Sequence, residues 1–332
     1  MKRIVIFLFL AVVAHLASVT VAPAGPVPGA LRLEDSLDSM GTTYSVVLYG
    51  SNRYKMQAAV ELAFEEVRRL DHLLSNYRSD SELSRLNQQA AERPVKVSKE
   101  LFDLLSACLR YSEASDGAFD ISVGPLMKVW GFFKSSGHFP HRAEIRGAMT
   151  RVGYKNIVLN EKDQTVSYRR PGVEIDPGGI GKGYAVDRMI AILQDNGVKS
   201  GLITAGSSSI YGIGNPPNEP RGWRLTIRHP KDPNESVAEV FLKNMSMSTS
   251  GNYEKFFRVG GRVYSHIMDP RTGHPAPGML SVSVVTPKTL DSEAWTKPYF
   301  INGRKWASHH KIPGSRVFLC EDRSELACAW LQ

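Results

Sequence analysis

The sequence predicts an α+β fold, with flanking helices on a mixed, largely antiparallel sheet. Three observations predict it. Apolar residues recur at helical spacing in the early part of the chain, and β-branched, strand-like runs accumulate late. The 332 residues, 42% of them hydrophobic, are enough to bury one sizeable core.

Residues 1–24 read as a signal peptide or N-terminal anchor. MKR is a basic start, IVIFLFLAVVAHLA is an apolar run too short for a comfortable membrane span, and Ala22-Pro23-Ala24 fits a small-residue cleavage site. Cleaved or retained, the segment directs the rest of the chain out of the cytoplasm. The expected location is the periplasm or the outer face of the cytoplasmic membrane. Residues 25–34 are rich in Pro and Gly and read as a linker, leaving 35–332 as one domain.

Within that domain, Thr42–Tyr49 is a strand by its β-branched and aromatic content. Met56, Val60, Ala63, Val67, Leu70 and Leu74 form the apolar stripe of a helix. Ser79 with Glu82 resembles a capping box for a short second helix, and Ser98 caps a third with core residues Leu101, Leu104, Leu105 and Cys108. Val173–Ile175 reads as a strand, and Tyr184–Gln194 as a helix closed by Asn196-Gly197. Strand-like runs follow at Gly201–Thr204, Arg224–Ile227, Ala238–Leu242, Leu280–Val285 and Arg316–Leu319.

The net charge of +8 is scattered, with no long basic run. It favours an anionic ligand and argues against nucleic acid as a partner. Of three cysteines, Cys108 falls on an apolar helix face. Cys320 and Cys328 have the option of pairing in an oxidising compartment.

Five clusters carry candidate chemistry. EIDPGGIGKGYAVD (174–187) has the order strand, glycine loop, helix. Free N–H groups at a helix start favour anions, and Lys182 adds a point charge for a phosphate. Asp176 suits a hydroxyl, an amide N–H or a metal. A glycine turn of this kind also occurs for purely structural reasons. In DGAFDISVGPL (116–126), Asp116 and Asp120 flank a buried-looking Phe119, or simply cap a turn. In SHIMDPRTG (265–273), His266 is the nearby group able to exchange a proton unaided near neutral pH, while Asp269 and Arg271 pair readily to stiffen the loop. TSGNYEKFF (249–257) is a turn bearing hydroxyls and aromatics. In TLDSEAWTKPYFING (289–303), Asp291, Ser292, Glu293 and Thr296 offer oxygens to a hard cation, or Asp291 or Ser292 caps a helix.

Together with Met40-Gly41-Thr42 and LSNYRSDSEL (74–83), these ordered motifs resemble the ApbE-type FAD:protein FMN transferases over most of the chain. The resemblance implies a single ApbE/T-fold-like domain that binds FAD with a divalent cation, usually Mg2+. It implies cleavage of the FAD pyrophosphate and transfer of FMN to a threonine hydroxyl, releasing AMP. The implied acceptor is an exported or membrane-facing redox protein carrying that threonine. Flavin contacts of the family fall on Met40, Tyr77, Ala118, Phe119, Asp120, Asp176, Lys182 and Ile267. Its metal ligands fall on the carbonyl of Gly179 and on a D-x-x-x-T pattern ending at Thr296. Ser292 stands where that pattern has its Asp, so Asp291, one residue earlier, or Glu293 is left to reach the metal. His266 is the expected base for the threonine hydroxyl. Hydrolysis of FAD by the same site and flavin binding without catalysis are the alternative readings.

Overall fold

The computed structural model describes residues 30–133, 137–323 and 327–332. The expected signal segment and the start of the expected linker lie outside the described residues. The central sheet has eight strands: β1 (Leu31–Ser39), β2 (Thr42–Gly50), β3 (Gly201–Ala205), β4 (Ser209–Ile213), β5 (Met245–Gly251), β6 (Met279–Thr286), β7 (Arg316–Glu321) and β8 (Ala327–Trp330). Their spatial order follows their chain order, and every pairing is antiparallel. Leu31–Glu34, placed in the linker by composition, belong to β1 and pair with Val47–Gly50. The turn into β2 is Met40-Gly41, both at positive φ (51° and 70°), as a tight hairpin turn requires. Cys320 and Cys328 face each other across β7 and β8 and are disulfide-bonded.

Seven helices among the described residues complete the domain: α1 (Arg53–Leu74), α2 (Glu82–Gln89), α3 (Lys99–Ala114), α4 (Gly124–Val129), α5 (Arg142–Met149), α6 (Gly181–Asp195) and α7 (Thr289–His309). No helix among these residues is long and apolar enough to cross a membrane. Asn52 caps α1 by accepting from the Lys55 N–H at 3.0 Å. The α1 stripe then packs with α6 over Tyr44, Val46 and Leu48 of β2. Each fully buried Leu, Val or Phe there contributes about 1.5–3 kcal/mol. The opposite face of the sheet is covered by a hairpin, Trp223–Arg228 with Ser236–Leu242, whose Trp223, Leu225 and Val240 meet Val47, Leu202 and Phe318.

Some local expectations shift by a few residues. Ser81 caps α2, accepting from the Ser84 N–H at 2.9 Å, in place of Ser79. Glu82 then stands first in α2 and not third, so no box closes, and its Oε1 accepts from the Ser98 N–H. Ser98 caps α3 as expected. Val173–Ile175 is extended but joins no ladder. The Asn87 side chain takes the role of a neighbouring strand, accepting from Ile175 N–H at 2.9 Å and donating to Ile175 C=O at 2.9 Å. Neither Asp291 nor Ser292 caps α7. Its first two N–H groups, of Thr289 and Leu290, are satisfied by the Asp187 carboxylate of α6 at 2.7 and 2.9 Å.

That contact brings α6 and α7 close enough that a glycine is required. A Cβ on Gly183 would lie 2.6 Å from the Thr289 carbonyl oxygen and 2.7 Å from Glu293 Oε2. Gly183→Ala is therefore expected to lower unfolding stability by about 1–3 kcal/mol through overpacking, despite alanine's better helix propensity. An unchanged urea midpoint would contradict this.

Candidate active site

The site is built where α6 begins. Asp176 accepts from the Gly178 N–H at 2.8 Å and so folds Pro177–Gly179 into a single 3-10 turn. The turn delivers the chain to Gly181, the first residue of α6. The helix start is not wholly open to a ligand. The Gly183 N–H donates to the buried Glu293 carboxylate of α7, so an internal anion already occupies part of this electropositive end. Lys182 projects beside it, Nζ 3.8 Å from Glu293 Oε1, with its side chain 28% exposed.

A second cation lies deeper. Lys297 Nζ donates to the Gly179 carbonyl at 2.7 Å and to the Glu293 carbonyl at 2.8 Å. Burial pushes this ammonium down to about 8, with Glu293 pulling the other way and Lys182 adding to the fall. At neutral pH it remains mostly charged.

The expected flavin residues surround this floor unevenly. Tyr77 is 74% exposed and stacks on Phe133, centroids 4.7 Å apart, with its hydroxyl donating to the Phe133 carbonyl at 3.1 Å. An aromatic face held open in this way suits stacking by a planar ring. The Met40 sulfur accepts from Tyr44 at 3.2 Å, and the Met40 methyl lies over Gly181.

Ala118, Phe119 and Asp120 are buried. The Phe119 ring lies under Gly179, edge-on to Tyr111. Asp120 is occupied with the backbone: one oxygen accepts from the Ser122 N–H and hydroxyl, each at 2.7 Å, and the other from the Tyr154 N–H at 2.6 Å. Its contribution here is to hold the 116–124 loop, and burial raises its carboxyl above the usual range. Asp176 is raised by burial as well, partly offset by the Gly178 N–H.

His266 is half-buried, beside the buried Ile267. Its Nδ1 lies 3.1 Å from the Lys255 carbonyl. A carbonyl only accepts, so Nδ1 carries the proton and Nε2 keeps its lone pair. Burial pushes the imidazole down to about 4, the Lys255 carbonyl opposes this, and Lys182, Lys255 and Lys297 lower it further. The loop carrying His266 is fixed by the expected Asp269–Arg271 pair, at 2.9 and 3.0 Å, and by Trp130, whose indole N–H donates to the Gly273 carbonyl at 2.9 Å.

The residues expected at a cation do not assemble into a cage. Asp291 accepts from the Tyr111 hydroxyl of α3. The Thr296 hydroxyl donates to the Glu293 carbonyl at 2.7 Å and accepts from Ser250 at 2.8 Å. The Gly179 carbonyl faces an ammonium. Ser292 is enclosed by the hydroxyls of Ser246 and Ser248 at 3.0 and 2.8 Å. Among the described residues no three His, Cys, Asp or Glu side chains converge to hold a metal ion. Sequence reasoning assigned no role to Lys297. A single lysine within the apolar run AWTKPYFI, one turn after an acid, was the available signal.

Comparisons with known proteins agree on one family. The ApbE family model matches residues 40–313. A FAD:protein FMN transferase of Klebsiella pneumoniae (strain 342) is 31% identical over 316 residues, covering 93% of this chain and 89% of the relative. That of Escherichia coli (strain K12) is 30% identical over 304 residues, covering 88% and 85%. Among solved structures, the ApbE protein of Thermotoga maritima superposes with a TM-score of 0.82 at 28% identity, covering 90% of this chain and 96% of that one. Apo flavinyl transferase ApbE of Pseudomonas stutzeri gives 0.80 at 26% identity, covering 91% and 95%.

Proposed function

This chain belongs to the ApbE family and is a transferase, and we propose that it moves FMN from FAD to a threonine hydroxyl of an acceptor protein, releasing AMP. The observation carrying this reading is the convergence of Lys182, Lys297 and a neutral His266 around the Gly179 turn, with the open face of Tyr77 nearby. Two ammonium groups suit a diphosphate, and an exposed tyrosine suits an isoalloxazine.

In this reading His266 Nε2 accepts the threonine proton. The freed oxygen forms a bond to the phosphorus next to the ribityl chain, and the bridging P–O bond breaks. AMP leaves with the electron pair, its charge stabilised by the lysines. Met40, Ala118, Phe119 and Ile267 shape the walls, Asp120 holds the 116–124 loop, and Asp176 orients part of the nucleotide. The Mg2+ that the resemblance implies does not fit the donors: Gly179 and Thr296 are already hydrogen-bonded, and Asp291 is held by Tyr111. No step is assigned to it.

The signal-like residues 1–24 and the Cys320–Cys328 disulfide support an exported protein. The acceptor class is then an exported or membrane-facing redox protein. Incubating the mature protein with FAD and a threonine-containing acceptor is expected to give an FMN-sized mass gain on the acceptor with stoichiometric AMP. Release of free FMN and AMP, with the acceptor unmodified, would favour the hydrolase reading instead.

A further inference from the structure

We propose that the Lys297 ammonium supplies, from within the chain, the positive charge that a divalent cation would otherwise bring to the FAD diphosphate, so that FAD binding and FMN transfer here need no metal ion. The inference rests on the FMN-transfer reading above. Lys297 Nζ occupies the position from which a cation would bind the Gly179 carbonyl, at 2.7 Å. An ammonium has three donors. Two go to Gly179 and Glu293, and the third has no protein partner among the described residues.

A hard cation needs converging oxygens. Beside Gly179 it would meet an ammonium at close range, where like charges repel. The carboxylate that the Asp-x-x-x-Thr pattern requires is absent, because Ser292 fills that position and bonds to Ser246, Ser248 and the Thr289 carbonyl. Of the two acids flanking Ser292, Asp291 is held by Tyr111, and Glu293 is held by the Gly183 N–H and lies by Lys182. Lys182 and Lys297 lie by Glu293 and within electrostatic reach of Glu254, and the two ammonium groups are the cations that the floor offers a diphosphate.

The test titrates FAD into the full mature protein, dialysed against EDTA, with and without added Mg2+, and follows flavin fluorescence. FMN transfer is measured in parallel. Affinity and transfer are expected to agree within about twofold between the two conditions. Lys297→Met should weaken FAD binding about tenfold or more, and Lys297→Arg should retain most of it. The double variant Ser292→Asp, Lys297→Ala rebuilds the acidic pattern and should bind FAD only with Mg2+. Thermal melts identify any variant that has not folded, and the wild-type comparison does not depend on them. Binding or transfer by the wild-type chain that appears only with Mg2+ overturns the inference and leaves the transferase reading intact. Metal-independent binding with no FMN on the acceptor in either condition overturns transfer to threonine and with it the transfer half of the inference, and sustains its FAD-binding half. An absence of binding in both conditions overturns both.

Discussion

His266→Ala should slow FMN transfer by about a hundredfold to ten-thousandfold, the range for loss of a general base, while FAD affinity stays near that of the parent chain. The imidazole is set up for one task. Nδ1 is held by the Lys255 carbonyl, leaving Nε2 free to accept a proton. Burial, with Lys182, Lys255 and Lys297 nearby, pushes the group to about 4, so it is neutral at physiological pH. The sign of the pH dependence follows. A base works when deprotonated, so activity holds as pH falls through 6.5 and is lost only toward about 4. The profile of kcat/KM against pH in the free enzyme checks this, since it reports the pKa of the unliganded base. Half-loss near the ordinary histidine value would show that the imidazole is not desolvated. Near-parental turnover of His266→Ala would remove it from the mechanism.

Lys182→Ala should cost about a hundredfold in rate or more, the scale for removing a preorganised electrostatic stabiliser. Its ammonium stands at the start of α6, 3.8 Å from the buried Glu293. Removing it takes away one of the two cations at the floor and leaves Glu293 facing the substrate with less compensation. The loss should fall on kcat more than on KM, because charge grows on the departing phosphate as the P–O bond breaks. Lys182→Arg should recover part of it, as the charge is kept on a different shape. An equal rate for Lys182→Ala in steady-state assays would mean that the side chain points away from the diphosphate when FAD is bound.

What was legible in the sequence follows from how locally each feature is encoded. The stripe from Met56 to Leu74, the cap at Ser98 and the Asn196-Gly197 stop rest on neighbours a few positions away, and each appears in the structure. Val173–Ile175 has a strand's composition, yet its backbone partner is the side chain of Asn87, 88 residues earlier. Leu31–Glu34 became a strand because β2 pairs with it, which composition alone does not reveal.

The same divide runs through the site. His266, Lys182 and Asp176 stand in motifs visible along the chain. The commitment of Gly179 to Lys297, 118 residues away, and of Gly183 to Glu293, 110 residues away, arises only when α6 and α7 meet. Asp291 illustrates the cost of reading a helix position without its neighbours. Its oxygens look suited to a cation, but α3 presents Tyr111 to it.

The most direct measurement is a crystal structure of His266→Ala with FAD, a variant in which turnover should be slow enough to trap the substrate. The diphosphate is expected within hydrogen-bond reach of both Lys182 and Lys297, with the isoalloxazine against Tyr77 and no metal ion at Gly179. FAD bound elsewhere, or its diphosphate held by a cation with Lys297 displaced from the Gly179 carbonyl, would contradict this account of the site.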